Sequence, residues 1–344
     1  MRFAFSDDQL AFRDAVRDLL AQQCPPAVVR AAWPEGDGPT GSKRAATLDQ
    51  VWGSLAEMGV MGVAVPEAAG GLGLSELDWV LLAEEAGYAA LPFPLVETAG
   101  VVAPLLAAHG DPGGHLAGLV DGSTVVTARL VGAGPVPFAQ RADLALLPAG
   151  GGGQSSGLVL TDLRGARRQA VVSVDGSRAL AEVSVDGDAE PITDNSTEIE
   201  LVVQRGTLGA AAALLGLSRR MLDLTVEYVK ERRQFGVAIG SFQAVKHHLA
   251  DARLQLEFAA PAVYRAAWSL ATGALTAARD VSMAKAVASD AAELTGRQAL
   301  QCHGAIGYTV EYDLHLYLKR AWALTRDWGD AASHRSLVAD ALEV

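Results

Sequence analysis

One short stretch of the chain combines residue types that suit a planar, anionic molecule: Glu231-Arg232-Arg233-Gln234-Phe235-Gly236. Guanidinium forks match the oxygens of phosphate, and an aromatic ring can lie against a base or a flavin. A solvated charge cluster that merely ends a helix has the same composition, and the local residues alone favour that interpretation. The surroundings of the turn therefore have to decide its function.

The turn is expected to join two apolar helices. Before it, apolar residues recur at helical spacing and form one stripe of a long helix. The members of this stripe are Leu208, Ala211, Leu215, Leu222, Val226 and Val229. After the turn, a second apolar helix is expected to begin near Ser241, which we predict to be its N-cap.

Three motifs in this sequence resemble those of the acyl-CoA dehydrogenase family. The first is the turn itself, followed by Ile239, Phe242, Gln243, Leu249, Ala250 and Asp251. The second is residues 301–308, Gln-Cys-His-Gly-Ala-Ile-Gly-Tyr, with Glu311 and Tyr312 after it. The third covers residues 58–67, 70–73 and 84–87 near the N-terminus. The motifs occur in the family's order over most of the chain, and the resemblance fades between about residues 120 and 200.

The hydrophobic pattern divides the chain into three blocks. Residues 5–120 have helical signals, beginning with a capping box formed by Ser6 and Gln9. Short β-branched runs separated by Gly, Asp-Gly and Pro then predict an antiparallel β domain. These runs are residues 124–131, 144–147, 157–160, 170–174 and 181–185. Helical patterns return at 200–231, 241–272, 275–302, 311–326 and 331–342.

We therefore predict a mainly α protein with a small central antiparallel β domain. The expected division is an N-terminal helical domain (1–120), a shortened middle β domain (121–198) and a C-terminal helical domain (199–344). The resemblance implies that the last of these is a four-helix bundle and that the blocks pack as in acyl-CoA dehydrogenases.

Composition excludes several classes of partner. The net charge is −12 with a pI near 5.0, and no basic stripe is present, which argues against nucleic acid and an anionic membrane surface. No apolar run approaches a bilayer span and no signal-peptide core is seen, so we expect a cytoplasmic protein. Cys24 and Cys302 are expected to be free buried thiols, and no His/Cys/carboxylate spacing predicts a metal site.

The resemblance implies an FAD cofactor and names the residues that contact it. Family members remove a proton from C2 of an acyl-CoA thioester and pass a hydride from C3 to the flavin. Their two C-terminal motifs contact the adenine and pyrophosphate end of FAD, in large part across a subunit interface. The matching residues here are Arg232, Gln234, Phe235, Gln301 and Gly304. Ala305 replaces the second Gly of the family motif.

The residues that the family uses at the flavin ring and at the substrate are absent. The stretches 127–135 and 138–143 carry neither of the family's flavin-ring motifs. The two positions at which members place the catalytic Glu are Trp328 and Gly206, and neither side chain can take a proton. Asp327 and Asp330 flank Trp328. They are candidates for a displaced base, or they cap the last helix.

This pattern resembles the short, non-catalytic subunit of heteromeric acyl-CoA dehydrogenases of the actinobacterial, steroid side-chain type. It implies an α2β2 assembly with a catalytic partner, a shared FAD, a CoA thioester substrate and an electron-transfer flavoprotein as electron acceptor. Three alternatives remain open. They are a homo-oligomeric dehydrogenase with Asp327 or Asp330 as base, a flavin monooxygenase or oxidase on the same fold, and a binding or regulatory homologue without a cofactor.

Overall fold

The computed structural model describes residues 4–34, 42–150, 157–184 and 189–343. The N-terminal block is helical, as predicted. Its helices are α1 Asp7–Gln23, α2 Pro26–Ala31, α3 Ser42–Glu57, α4 Glu76–Tyr88, α5 Ala103–Ala108 and α6 Leu116–Val120. The predicted capping box starts α1: the backbone N–H of Gln9 donates to Ser6 Oγ (3.2 Å), and that of Ser6 donates to Gln9 Oε1 (3.0 Å). Just before α5, residues Val96–Val102 form a wider π-helical turn.

The middle block is a small β region, and one of its pairings differs from the prediction. Its strands are β1 Val126–Ala128, β2 Leu144–Pro148, β3 Leu158–Asp162, β4 Arg167–Ala170, β5 Ala181–Ser184 and β6 Glu190–Thr193. The main sheet has the order β1-β2-β3-β6, and β4 pairs with β5. Strands β1 and β2 are parallel. They start at the same edge because Asp143 N donates to Val125 O (2.8 Å) and Val125 N donates to Asp143 Oδ2 (2.9 Å).

Two strand assignments from the sequence were also inaccurate. The run 170–174 was predicted as a strand, but β4 lies at 167–170, where it pairs with β5. Val172 and Val174 are 99% and 50% exposed and lie outside any strand. Strand β6 was not predicted at all. Pairing between distant strands, which the local pattern does not encode, decides both cases.

The C-terminal block contains the five predicted helices, with ends that shift by a few residues. They are α7 Ser196–Glu231, α8 Gln243–Ala271, α9 Ala277–His303, α10 Leu314–Leu324 and α11 Ala331–Leu342. A two-residue hairpin, β7 Arg233–Gln234 with β8 Val237–Ala238, joins α7 to α8. The prediction of Ser241 as N-cap of α8 is wrong. Phe242 occupies that position without a side-chain cap, and Ser241 Oγ donates to Ala238 O instead (2.7 Å).

Helix α7 is the central element of the structure. It packs against α8, α9 and α10, and also against α4 of the N-terminal block. Five of the six residues of its predicted apolar stripe are buried, and three of these, Leu208, Ala211 and Leu215, belong to the main core. By length and composition α7 could cross a membrane, contrary to the expectation that no such run exists. However, 78% of its most apolar window is buried inside the protein, as in the core helix of a globular fold.

The two cysteines are free and buried, as expected. Burial raises the pKa of the Cys24 thiol to about 12 and also raises the pKa of Cys302. Both thiols therefore stay protonated near neutral pH and are poor nucleophiles.

Candidate functional site

Helix α7 carries the predicted functional positions near its two ends. Gly206 lies in its N-terminal third, and Arg232 follows its last residue. At the helical rise of 1.5 Å per residue, these two positions are about 39 Å apart along the axis. The structure therefore brings the predicted site residues together in two separate places rather than in one.

The turn after α7 is open to solvent. Phe235 is 91% exposed and adopts a left-handed backbone (φ +54°) at the tip of the hairpin. Its ring meets the edge of Phe242, with the centroids 6.2 Å apart. The side chains of Arg232 and Gln234 are exposed, and within the described residues neither forms a hydrogen bond. The turn thus presents a guanidinium, an amide and most of an aromatic ring to solvent.

The second C-terminal motif lies beside this turn. The ring of His303, at the end of α9, stacks on Tyr228 in the last turns of α7, with centroids 4.4 Å apart. Gln301 and Gly304 are exposed. Gly304 has φ +61°, and a Cβ added there would meet nothing within 4 Å. We call Arg232, Gln234, Phe235, Gln301 and Gly304 the exposed-turn surface, and its donor set fits the adenine and pyrophosphate end of FAD.

At the other end of α7, the two positions that the resemblance predicts for a catalytic Glu, Gly206 and Trp328, are in direct contact. The indole of Trp328 packs on Gly206, so closely that a Cβ at Gly206 would lie 2.4 Å from ring carbons Cη2 and Cζ3. Trp328 is 7% exposed, and its φ of +57° is unusual for an aromatic residue. We call this arrangement the Trp328 plug. It leaves no free volume between the two positions.

Both aspartates beside Trp328 are engaged in other interactions. Asp327 forms an ion pair with Arg178. Asp330 is the N-cap of α11 and accepts a hydrogen bond from Ser333 N (2.8 Å), a bond that lowers the pKa of Asp330. The capping interpretation therefore holds for Asp330 and is wrong for Asp327, whose carboxylate turns toward the middle β region.

A buried ion pair next to the plug was not anticipated from the sequence. Arg320 of α10 pairs with Asp175, which is fully buried. Arg320 also donates to Ser177 Oγ (2.7 Å) and to Leu91 O (2.9 Å). One guanidinium thus joins the three blocks of the chain. In the sequence, Arg320 lies in α10 close to the apolar residues Leu316 and Leu318. This placement of an arginine is the signal that could have indicated a buried ion pair.

Lys285 fixes the loop that carries Trp328. Its side chain is fully buried, and Nζ donates to Gly329 O (2.7 Å) and Thr325 O (3.2 Å). Burial lowers the pKa of Lys285 to about 8, against the opposing effect of Asp327 and Asp330. The lysine was not singled out from the sequence, because nothing in its local pattern distinguishes it from a surface residue of α9.

A small cavity of about 40 Å³ remains beside the plug. Glu97, on the π-helical turn, lines it together with Arg178, Asp327 and Trp328. Burial raises the pKa of Glu97 to about 7; nearby Asp327 adds to this effect, whereas Arg178 and Arg320 oppose it. A water molecule needs roughly 10–15 Å³ by this measure, so the cavity has room for a few waters and not for an acyl chain.

We expect Glu97→Gln to stabilise the protein more at pH 8 than at pH 5. In the folded state the pKa of Glu97 is raised from 4.5 to about 7, so the folded protein holds the proton that the unfolded chain releases. Stability is therefore lost as the pH rises through this window. At about 1.4 kcal/mol per pKa unit, the loss is at most about 3 kcal/mol.

Urea unfolding of both proteins at the two pH values measures this difference. Glu57→Gln, a change at an exposed position of α3, is the matched control and should show no pH-dependent gain. An equal effect of the two substitutions at both pH values would contradict the raised pKa of Glu97 in the folded protein.

The loop that replaces the family's flavin-ring motif is bonded to itself. Arg129 donates to Pro135 O (2.9 Å) and Ala133 O (2.6 Å). Thr127 is buried, and its hydroxyl donates to Pro137 O (2.6 Å). The Thr127 hydroxyl and both terminal nitrogens of the Arg129 guanidinium are thus engaged within the loop, whereas the buried Arg129 Nε has no hydrogen-bond partner among the described residues. Few polar side-chain groups of this loop are therefore free to hold a flavin ring.

Models of two protein domains match this chain. "Acyl-CoA dehydrogenase, N-terminal domain" matches residues 6–113, and "Acyl-CoA dehydrogenase, C-terminal domain" matches residues 199–343. The stretch between them, which holds β1–β6, is matched by neither. Acyl-CoA dehydrogenase IpdE2 of Mycobacterium tuberculosis is 33% identical over 317 residues, which cover 92% of this chain and 91% of that protein.

Solved structures share the whole fold. A variant of the Tcur3481-Tcur3483 steroid ACAD superposes with a TM-score of 0.86 at 26% identity, covering 98% of both chains. The ChsE4-ChsE5 complex from Mycobacterium tuberculosis gives a TM-score of 0.84 at 22% identity, covering 100% of this chain and 99% of the other. These likenesses confirm the predicted class: helical domains on either side of a small β region.

Proposed function

This chain belongs to the acyl-CoA dehydrogenase family, whose members are FAD-dependent oxidoreductases, and we propose that it serves as the subunit that completes the FAD site of a catalytic partner. One observation carries the proposal. The surface suited to the adenine end of FAD is exposed, whereas the two positions expected to carry the base are occupied by Gly206 and Trp328, which pack on each other.

The distance along α7 supports sharing of the cofactor. The exposed-turn surface lies about 39 Å from Gly206, at 1.5 Å per residue, and this is longer than an extended FAD molecule. A cofactor held at this surface therefore cannot have its flavin beside this chain's own plug. Its flavin has to lie on another chain.

Helix α8 offers a surface for such a partner. In its first half, residues 243–258, most side chains are exposed and only Ala252 and Leu256 are buried. Leu254 and Phe258, one turn apart, are 55% and 73% exposed. Apolar side chains exposed in this way along a helix are typical of an interface. Helix α8 begins directly after Phe242, whose ring contacts Phe235, so one partner could cover both the helix and the exposed-turn surface.

In the proposed complex, the reaction is α,β-desaturation of a CoA thioester. Bound FAD would supply the hydride acceptor for this reaction, and the partner would supply the carboxylate that takes the C2 proton. This chain's Arg232 would bind the pyrophosphate, the amides of Gln234 and Gln301 would bind polar atoms of the adenylate, and the Phe235 ring would lie against the adenylate.

We propose an α2β2 assembly in the cytoplasm, with an electron-transfer flavoprotein as electron acceptor. We retain 1–120, 121–198 and 199–344 as the proposed domain division.

The steroid-derived class of acyl group is part of the proposal. It is supported by the name of the Tcur3481-Tcur3483 steroid ACAD, which is 26% identical over nearly the whole chain. The alternative of a homo-oligomeric enzyme with Asp327 or Asp330 as base is not favoured, because one carboxylate is paired with Arg178 and the other caps α11. No contact in the described residues favours a monooxygenase, an oxidase or a cofactor-free homologue.

Flavin absorbance tests the proposed function. We expect this chain to be colourless when purified alone. It should be yellow, with one FAD per pair of chains, when co-purified with the acyl-CoA dehydrogenase encoded nearest to it. If the chain alone binds stoichiometric FAD that is bleached by an acyl-CoA, the subunit proposal is wrong.

A matched pair of variants tests the residues assigned to the cofactor. Arg232→Ala should lower the flavin content of the complex without changing the helical content of the free chain. Arg164→Ala removes another exposed arginine, one that pairs with Asp162 at the end of β3 and lies outside the proposed partner surface, and should leave the flavin content unchanged. Equal flavin content in the two complexes would remove Arg232 from the site.

A further inference from the structure

The indole of Trp328 occupies space at the centre of the family's reaction site. Members project their catalytic carboxylate from two positions, 206 and 328. Here residue 328 carries the indole and residue 206 lies against it. The ring is in contact with Gly206. The residual cavity of about 40 Å³ is lined by Ala210, Leu217, Phe93 and Leu95, together with the charged residues Glu97, Arg178, Arg320 and Asp327. This lining is mostly apolar, as an acyl site requires, but the ring leaves no room for an acyl chain.

The backbone that holds the ring is strained and is fixed on several sides. Trp328 adopts φ +57°, a conformation that is unfavourable for a residue with a Cβ. His334 Nε2 lies 2.8 Å from Trp328 O, and Lys285 Nζ bonds to Gly329 O. Asp327, the preceding residue, is paired with Arg178. A strained residue persists only where its surroundings determine it in this way, so the position of the ring is a built feature.

Gly206 is the other half of the same arrangement. A glycine inside a long helix is less favourable than alanine by about 1 kcal/mol, and most of α7 around it is rich in alanine and leucine. The contact with the indole accounts for its presence, because any side chain at 206 would collide with the ring. The glycine at 206 and the tryptophan at 328 are thus sterically complementary.

We infer that the Trp328 plug closes a latent acyl-thioester site in this chain, and that the indole alone keeps an acyl chain out. The inference rests on the proposed function, which takes Gly206 and Trp328 as the positions of the family's base and so places the adjoining cavity beside the acyl site. Replacement of Trp328 by glycine removes the ring and tolerates the left-handed backbone. It opens a cavity bounded by α4, α7 and the π-helical turn.

Calorimetric titration of the purified full-length chain with hexanoyl-CoA and with free CoA tests the inference. The wild-type chain should bind the two ligands equally, because no acyl chain can enter. Trp328→Gly should prefer hexanoyl-CoA by at least about tenfold, or about 1.4 kcal/mol, the equivalent of burying about two methylenes. Trp322→Ala, which removes a 43% exposed tryptophan of α10, should behave as the wild type.

Two results would overturn the inference: a wild-type chain that already prefers hexanoyl-CoA, or folded Trp328→Gly and Trp328→Asn variants that show no preference. Asparagine also tolerates the left-handed backbone, so the second variant guards against a folding defect specific to glycine. If neither variant folds, a wild-type preference for hexanoyl-CoA still overturns the inference, since such a preference is incompatible with a closed site. Because the isolated chain is used, the result is independent of whether the flavin-binding complex forms.

Discussion

Asp175→Asn is expected to lower the free energy of unfolding by about 3–5 kcal/mol, the range found when one partner of a buried ion pair is removed. The substitution keeps the size of the side chain and removes only its charge. Arg320 is 6% exposed and would then be buried without a counter-ion. The first unfolding transition in urea, followed by circular dichroism, measures the loss.

The position of Asp175 explains why this effect should be large. Its carboxylate also accepts hydrogen bonds from the Ser177 hydroxyl (2.6 Å) and backbone N–H (3.1 Å), and Arg320 bonds in turn to Leu91 O. Loss of the charge therefore loosens a contact between all three blocks. Asp290→Asn is the control, because Asp290 pairs with Arg335 at the surface, where such pairs contribute little. Similar losses of unfolding free energy in the two variants would show that the buried pair of Asp175 and Arg320 contributes no more than a surface pair.

Gly206→Ala is expected to have effects of opposite sign in two backgrounds. In the wild type the added methyl group collides with the Trp328 ring, which should lower the free energy of unfolding by about 1–3 kcal/mol. In the Trp328→Gly background the collision is absent. The better helix propensity of alanine should then raise the free energy of unfolding by about 1 kcal/mol. The resulting coupling energy of about 2–4 kcal/mol is measured by a double-mutant cycle.

Gly53→Ala provides the matched control for this cycle. Gly53 also lies inside a helix, α3, but a Cβ added there meets nothing within 4 Å. Its replacement should be neutral or stabilising in both backgrounds. If Gly206→Ala behaved like Gly53→Ala, the close packing of the plug would be disproved.

The features that local signals encode were predictable from the sequence. Ser6 and Gln9 form the expected capping box, and the five C-terminal helices follow the spacing of apolar residues. The exposed turn was located because its motif is contiguous in the chain. The stacking of His303 on Tyr228, which joins the turn's helix to the second motif, was not predicted.

The features that depend on contacts between distant residues were not predictable. Gly206 and Trp328 were each recognised as unable to act as a base, but nothing in the sequence places one on the other. The Arg320–Asp175 pair and the parallel pairing of β1 with β2 are likewise set by the packing of separate blocks. Asp327 was expected to cap the last helix because of its position, whereas its buried partner Arg178 comes from the middle block.

The length of α7 has a consequence for how such a chain evolves. Substitutions separated by more than about 10 Å and sharing no partners act on stability independently, and the two functional ends of this helix are farther apart than that. Mutations that fill the reaction site at one end therefore leave the cofactor contacts at the other end under separate selection. Under the proposed function, a chain without its own base is retained because its cofactor contacts serve the partner. Because the two ends of α7 are far apart, the catalytic function at one end can be lost while the cofactor-binding function at the other end is kept.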